Sequence, residues 1–267
     1  MKRMKTIACG FFLLAGLTVV TGNSVSAEMT SVEKKGTVTV EGSSISEPID
    51  PENPGDIIDP GEGPSTDGLL RIDFVSAFDF GRAERVGTKR TFPAFAQQFL
   101  GNTEPRGSYI QLTDQRTHST GWTLQVKQNH QFRTTEKHAG KVQELTGAVL
   151  SLDKGWANSN GNSGAPTVTR ETVGIQAIGT AYEVATATAG NGRGIWTIAF
   201  GASETNTSHQ QPTLRPAVDS SGKPIMDAFS GKPAYWNSAI GLTVPETIPI
   251  YTGEYHTALT WVLGALP

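Results

Sequence analysis

The sequence predicts an all-β protein: an antiparallel β-sandwich, Ig-like or related, that forms a single domain after a disordered linker. Apolar and polar residues alternate with a period of two in several short segments, and no segment sustains a helical period. Stretches rich in Gly, Asn and Ser, at 157–164 and 189–194, separate these segments as loops separate sandwich strands.

Each predicted strand follows from this alternation. Leu70, Ile72 and Phe74 alternate with charged residues, so a strand here presents one apolar face. Similar short runs occur at 110–112, 148–152, 196–200 and 240–244. We leave residues 94–100 open to a short helix, which would not change the class.

An acidic segment divides the chain into a linker at 28–68 and a domain at 69–267. Glu41 to Asp67 contains eight acidic residues, several prolines and no Lys or Arg. Like charges and prolines keep such a segment extended, so we interpret it as a spacer. Calcium binding is the alternative, but the oxygen ligands do not follow the D-x-[DN]-x-[DN]-G spacing.

The first 27 residues resemble a secretory signal peptide. Basic residues in MKRMK precede an apolar run at 7–20, and the small residues Val25-Ser26-Ala27 suit cleavage. Cys9, the sole cysteine, lies inside this segment, so a disulfide in the mature chain is excluded. With no second long apolar run and no sorting signal near Pro267, we expect no membrane anchor in the mature protein.

The charge balance disfavours a nucleic-acid-binding protein. From Gly68 onward the chain has 17 Lys plus Arg and 15 Asp plus Glu, a net charge of +2, although the whole chain is at −3. A protein dedicated to nucleic acid concentrates positive charge on one face.

A tripeptide of Trp, any residue and Leu occurs twice, as Trp122-Thr-Leu124 and as Trp261-Val-Leu263. On a strand, each Trp lies on the same face as its Leu, while the middle residue points away. The matching apolar rows predict neighbouring strands, whose Trp side chains could form one aromatic cluster.

The blocks around these tripeptides resemble the WxL domain family. LRIDFVSAFDFG, IQLTDQR, GWTLQV, GRGIWTIAFG and LTVPETIPIYTGEYHTALTWVLGALP follow one another in the family's order from Leu70 to Pro267. The chain departs from the family at Gly264-Ala265, where Ser or Asp is expected, and residues 206–236 resemble an insertion.

The resemblance implies a secreted protein at the cell surface of a Gram-positive bacterium, bound non-covalently to peptidoglycan or an associated wall polymer through a C-terminal WxL domain. It implies Trp122, Leu124, Trp261 and Leu263 as wall-binding candidates, because an indole ring can stack on a sugar. The alternative is that these four side chains form the core, as Trp and Leu on one face of a sandwich strand usually do.

Four further residues are supporting candidates. Trp156 and Trp236 lie in loop-like sequence, where an aromatic ring could stack on a ligand or pack locally. Asp114 and Arg116 precede the first tripeptide as a polar recognition pair, or as a turn stabilised by the Asp side chain.

The sequence predicts no enzyme, no cofactor and no metal site. Ser163 in GNSGAP resembles the nucleophile loop of a secreted serine protease, which is the enzyme alternative. However, His118, His130 and His138 lie too close before it to accommodate the usual barrel. The other alternative is an adhesin-like, protein-interaction subunit of a complex with other surface proteins.

Overall fold

The computed structural model describes residues 46–82 and 90–267. These residues contain sixteen β-strands, paired antiparallel, and no helix. The predicted signal peptide and the first part of the predicted linker, up to residue 45, lie outside the described residues. The all-β antiparallel class is therefore confirmed. The strands are β1 Leu70–Val75, β2 Thr91–Phe95, β3 Ser108–Asp114, β4 Gly121–Gln128, β5 Arg133–His138, β6 Lys141–Glu144, β7 Val149–Leu152, β8 Gly155–Asn158, β9 Thr167–Val168, β10 Val173–Ile175, β11 Ala181–Thr188, β12 Gly194–Phe200, β13 Leu214–Pro216, β14 Tyr235–Thr243, β15 Tyr255–His256 and β16 Leu259–Ala265.

The strands pair into four sheets. Sheet I has the order β1-β3-β12-β8, and sheet II has the order β10-β7-β14-β13 with β2 also paired to β14. Sheet III has the order β16-β4-β11-β9, and sheet IV has the order β15-β5-β6. Strands that pair in these sheets are mostly distant in sequence. Many of the loops between consecutive strands therefore connect two different sheets.

Sheet I is buried on both faces. All seven residues of β3 are buried, and its three apolar side chains divide between two apolar clusters. Ile110 and Leu112 belong to the main core, which sheets II and III share, whereas Tyr109 belongs to a smaller cluster on the opposite face. The smaller cluster consists of Ile58, Phe74, Phe99, Tyr109, Trp156, Ala199 and Ala202.

An N-terminal strap, residues 46–60, covers this second face of sheet I. Ile58 of the strap is buried in the smaller cluster, and the Ile49 amide donates to the Gln111 side-chain carbonyl at 2.8 Å. Composition assigns these residues to the extended linker, yet they pack against the domain. Ile49 and Ile58 are buried against the domain, and their burial stabilises the packed strap. The acidic composition of the segment does not indicate this burial.

Buried ion pairs hold the strap. The Arg106 guanidinium donates to both carboxylate oxygens of Asp50, at 2.9 and 2.8 Å, and lies 3.5 Å from Glu52. Glu52 also accepts hydrogen bonds from the Ser203 amide and hydroxyl. Burial opposes ionisation of Asp50, but the hydrogen bonds that Arg106, the Glu52 amide and Asn53 donate to it, together with the positive charge of Arg106, lower the pKa of that carboxyl below 3.8.

The short helix considered at 94–100 is wrong. Residues 91–95 form β2, which pairs with β14, and Gln97 continues in an antiparallel bridge with Arg106. Pairing with β14 and with Arg106 decides this conformation, and the sequence of residues 94–100 reveals neither partner.

Candidate functional site

The two tripeptides lie on adjacent strands, which confirms the predicted pairing. β4 pairs with β16 in a register that places Leu124 opposite Leu263, Val126 opposite Trp261 and Trp122 opposite Ala265. The two Trp residues are therefore separated by about four residues, or about 13 Å, along the strands. The expected joint aromatic cluster is not formed, because none of the ring pairs among the described residues joins these two indoles.

Trp122 and Leu124 lie in the main core. Both side chains are 0% exposed, and the Trp122 indole N–H donates to the Gly192 carbonyl at 3.0 Å. Gly192 lies so close to the indole that an added Cβ would stand 2.6 Å from its nitrogen. With its surface enclosed and its polar atom already bonded, Trp122 has no face to offer a wall polymer in this conformation.

Trp261 and Leu263 are half-buried, because β16 is the edge strand of sheet III. Both side chains pack against the main core from its margin. The structure thus brings the four candidates onto one sheet face but directs that face inward.

The middle residues of the tripeptides face outward. Val262 is 41% exposed and pairs with Gln125, and Thr123 pairs with Gly264 on one side and Thr186 on the other. The outer face of sheet III therefore carries threonine, glutamine and glycine residues beside the exposed Val262. The period of two that places Trp and Leu together already implied that these residues share the opposite face.

Asp114 and Arg116 form a turn. The Arg116 side chain donates to both oxygens of Asp114, at 2.9 and 2.8 Å, and the Arg116 amide and the Ser119 hydroxyl donate to it as well. Burial opposes ionisation of Asp114, but these hydrogen bonds lower its pKa below 3.8. The Arg116 guanidinium also donates to the Gly121 carbonyl, so the pair anchors the start of β4.

The other two candidate tryptophans, Trp156 and Trp236, lie on strands, although their local sequences resemble loops. Trp156 on β8 is 4% exposed and its indole N–H donates to the Gly201 carbonyl at 3.0 Å. Trp236 on β14 stacks on Phe95, with ring centroids 4.0 Å apart. Trp156 therefore lacks an exposed face, and the partner of the Trp236 ring is a neighbouring strand.

Ser163 shows no feature of a nucleophile among the described contacts. Its hydroxyl lies 3.4 Å from the carbonyls of Gly164 and Gly190 and accepts from the Arg193 amide at 3.0 Å. These partners are backbone groups, which hold the loop.

A polar cleft of about 520 Å³ lies where three loops meet. Three segments line the cleft. They are Asp153 and Lys154 at the corner between β7 and β8, residues 170–172, and Gln210 with Gln211. Sequence patterns do not predict this cleft, because the segments that line it are distant in the chain and none carries a motif. Residues 210–211 belong to the insertion-like stretch, for which the sequence alone assigns no role.

Comparison with known proteins identifies the family. The family model described as WxL domain, surface cell wall-binding, matches residues 27–267. The match begins well before residue 69, in keeping with the packing of the strap against the domain. A search of curated proteins and a search of solved structures each found no match to this chain. No helix in the described ranges is long and apolar enough to cross a membrane. Because the family model covers most of its length, the chain belongs to the WxL family of surface cell-wall-binding domains.

Proposed function

We propose that this chain is an exported surface protein of a Gram-positive bacterium that its WxL domain holds non-covalently on peptidoglycan. The observation that carries the proposal is the family match over residues 27–267. The basic and apolar segment at the start of the sequence supports export.

We propose that the wall is bound by the outer surface of the domain. The enclosure of Trp122 and Leu124 in the main core supports this proposal, since it favours a structural role for the tripeptides. The proposed function requires no catalytic step, since the matched family is described by wall binding.

Sedimentation with purified sacculi tests the proposal. The full chain without residues 1–27 is mixed with washed sacculi, and bound and free protein are separated by centrifugation. Sacculi stripped of covalently attached anionic polymers by acid serve as a second ligand, and heat-unfolded protein serves as the control for non-specific adhesion. The proposal predicts that folded protein sediments equally with both preparations.

Two results would contradict it. Binding only to untreated sacculi would transfer the specificity to an attached polymer. Absence from both pellets, with binding to an exported partner protein from the same cells, would support a protein-interaction subunit instead.

A further inference from the structure

We infer that the polar cleft formed by residues 153–154, 170–172 and 210–211 is the surface that binds the wall, and that it takes a hydroxyl- and amide-rich segment of a peptidoglycan strand. The inference rests on the proposed function and names its binding site.

The side of the cleft that Gln210 forms is held in place by hydrogen bonds within the protein. The Gln210 amide donates to the Asn206 side chain at 2.8 Å, and the Asn206 side chain donates back to the Gln210 carbonyl at 3.0 Å. Asn206 also donates to the Ser203 carbonyl, and Ser203 is bound by Glu52 of the strap. A fixed loop loses less conformational entropy on binding.

The loops that face each other across the cleft are joined directly. The Arg170 guanidinium donates to the Gln210 side-chain carbonyl at 3.0 Å. Arg170 is exposed, so its remaining N–H donors point towards solvent or a ligand. The Gln210 side-chain nitrogen donates to the Ser208 carbonyl at 2.8 Å, which leaves that nitrogen one further N–H. The remaining N–H donors of Arg170 and Gln210 can bond two neighbouring oxygens of a saccharide.

The side of the cleft formed by Asp153 and Lys154 is a tight corner. Lys154 adopts a φ of 53°, which non-glycine residues rarely do, and its carbonyl accepts from the Gly201 amide. The Asp153 amide donates to the Ala239 carbonyl. The corner is therefore fixed to both sheet I and sheet II, and it holds one carboxylate and one ammonium group at the rim of the cleft.

The cleft's chemistry selects among ligand classes. Lys154 and Arg170 balance Asp153 and Glu171, so the formal charge of the lining is zero, and the remaining residues are Thr172 and two glutamines. A polyanion needs a positive surface, and an apolar ligand needs an apolar one. Alternating donors and acceptors without net charge match hydroxyl and amide groups.

The surface beside the cleft leaves room for a chain to continue. Ser151 and Gly174 face outward two residues before Asp153 and two after Thr172, and they pair with each other across sheet II. A Cβ added to Gly174 would meet only side-chain atoms, at 3.5 Å or more, so packing does not require glycine there. A bare strand surface allows close approach of an extended ligand.

Substitution of the two side chains that join across the cleft tests the inference. The variants are Arg170→Ala, Gln210→Ala and their combination, in the chain without residues 1–27. Arg193→Ala is the matched control, because Arg193 is also exposed but lies at the far end of β12 from this corner. We expect the apparent Kd for sacculi to rise several-fold in each single variant and about tenfold or more in the double variant, with unchanged melting temperatures. The control is expected to bind as wild type does.

Chemical-shift mapping supplies an independent measurement. Soluble peptidoglycan fragments, released by a muramidase, are titrated into ¹⁵N-labelled protein, and shifts are expected at residues 153–154, 170–172 and 210–211. An unchanged Kd in the folded double variant, or shifts confined to the outer face of sheet III, would overturn the inference while leaving wall binding itself intact. Failure of wild-type protein to bind sacculi would instead refute the proposed function.

Discussion

Trp122 and Trp261 occupy the same position in their tripeptides but differ in burial. Trp122 lies on β4, between β16 and β11, and is fully enclosed, whereas Trp261 lies on the edge strand and is half-buried. A sequence pattern predicts that Trp and Leu share a face. It does not tell whether that face meets a second sheet or a ligand, because the covering residues come from other sheets.

Replacing the enclosed tryptophan should cost more stability than replacing the edge tryptophan. Trp122→Ala leaves a large cavity and an unpaired Gly192 carbonyl, so we expect a loss of about 3–5 kcal/mol in the free energy of unfolding. Trp261→Ala should cost about 1–3 kcal/mol. Urea denaturation measures both variants, and equal losses would contradict the difference in burial.

Trp156 shows how neighbours in sequence can mislead. Asn, Ser and Gly follow it closely, as in a loop, but it pairs with Ala199 of β12 and its indole bonds Gly201. The partners lie more than forty residues away. Local composition could not predict them.

The strap shows the same limitation at the scale of an element. Asp50 and Glu52 look like charges of a solvated linker, yet their partners are Arg106 and Ser203, which are 56 and 151 residues away. By contrast, the predicted strands at 70–74, 110–112 and 196–200 are confirmed, because each has an apolar face that the period of two reveals.

Removing the cation that holds the strap should destabilise the domain. Arg106→Ala leaves two buried carboxylates without their ion-pair partner, and we expect a loss of about 3–5 kcal/mol. Arg170→Ala, which removes an exposed arginine, is the control and should change stability by less than about 0.5 kcal/mol. Equal unfolding free energies for these two variants would show that the strap's ion pairs contribute nothing.

The strap should also weaken in acid. The pKa of Asp50 is lowered in the folded state. The stability that ionised Asp50 contributes is therefore fully present above pH 3.8 and is lost as the pH falls through the folded pKa. Asp73 lies on β1 and forms an ion pair with Arg71. Burial raises the pKa of Asp73 despite its hydrogen bonds, so the folded state takes up this proton more readily than the unfolded chain does, and part of the stability loss is offset in acid.

Asp50→Asn separates the two contributions. Asparagine has no proton to gain, so the variant should be less stable at pH 7 and should lose less further stability between pH 5 and pH 2. Denaturation curves at a series of pH values measure this difference. A wild-type curve parallel to the variant's would refute the role of Asp50.

The charge of the whole molecule bears on the strength of wall binding in salt. Residues 28–267 carry 19 Lys plus Arg and 25 Asp plus Glu, a net charge of −6, and the cleft lining has a net charge of zero. We expect the apparent Kd for sacculi to change less than about threefold between 50 and 200 mM NaCl. Polyanion binding through six to ten contacts would weaken by a factor of about 10³ or more over that range, and sedimentation in both buffers decides.

In the proposed division of roles, the tryptophan motif stabilises the core while the exterior of the domain binds the wall. Trp122→Phe tests this division most directly, with melting temperature and the sacculus Kd measured on the same preparation at a temperature where the variant is folded. We predict a melting temperature several degrees lower, because the indole hydrogen bond and some packing are lost, and an unchanged Kd. An unchanged melting temperature with loss of sacculus binding would contradict the account.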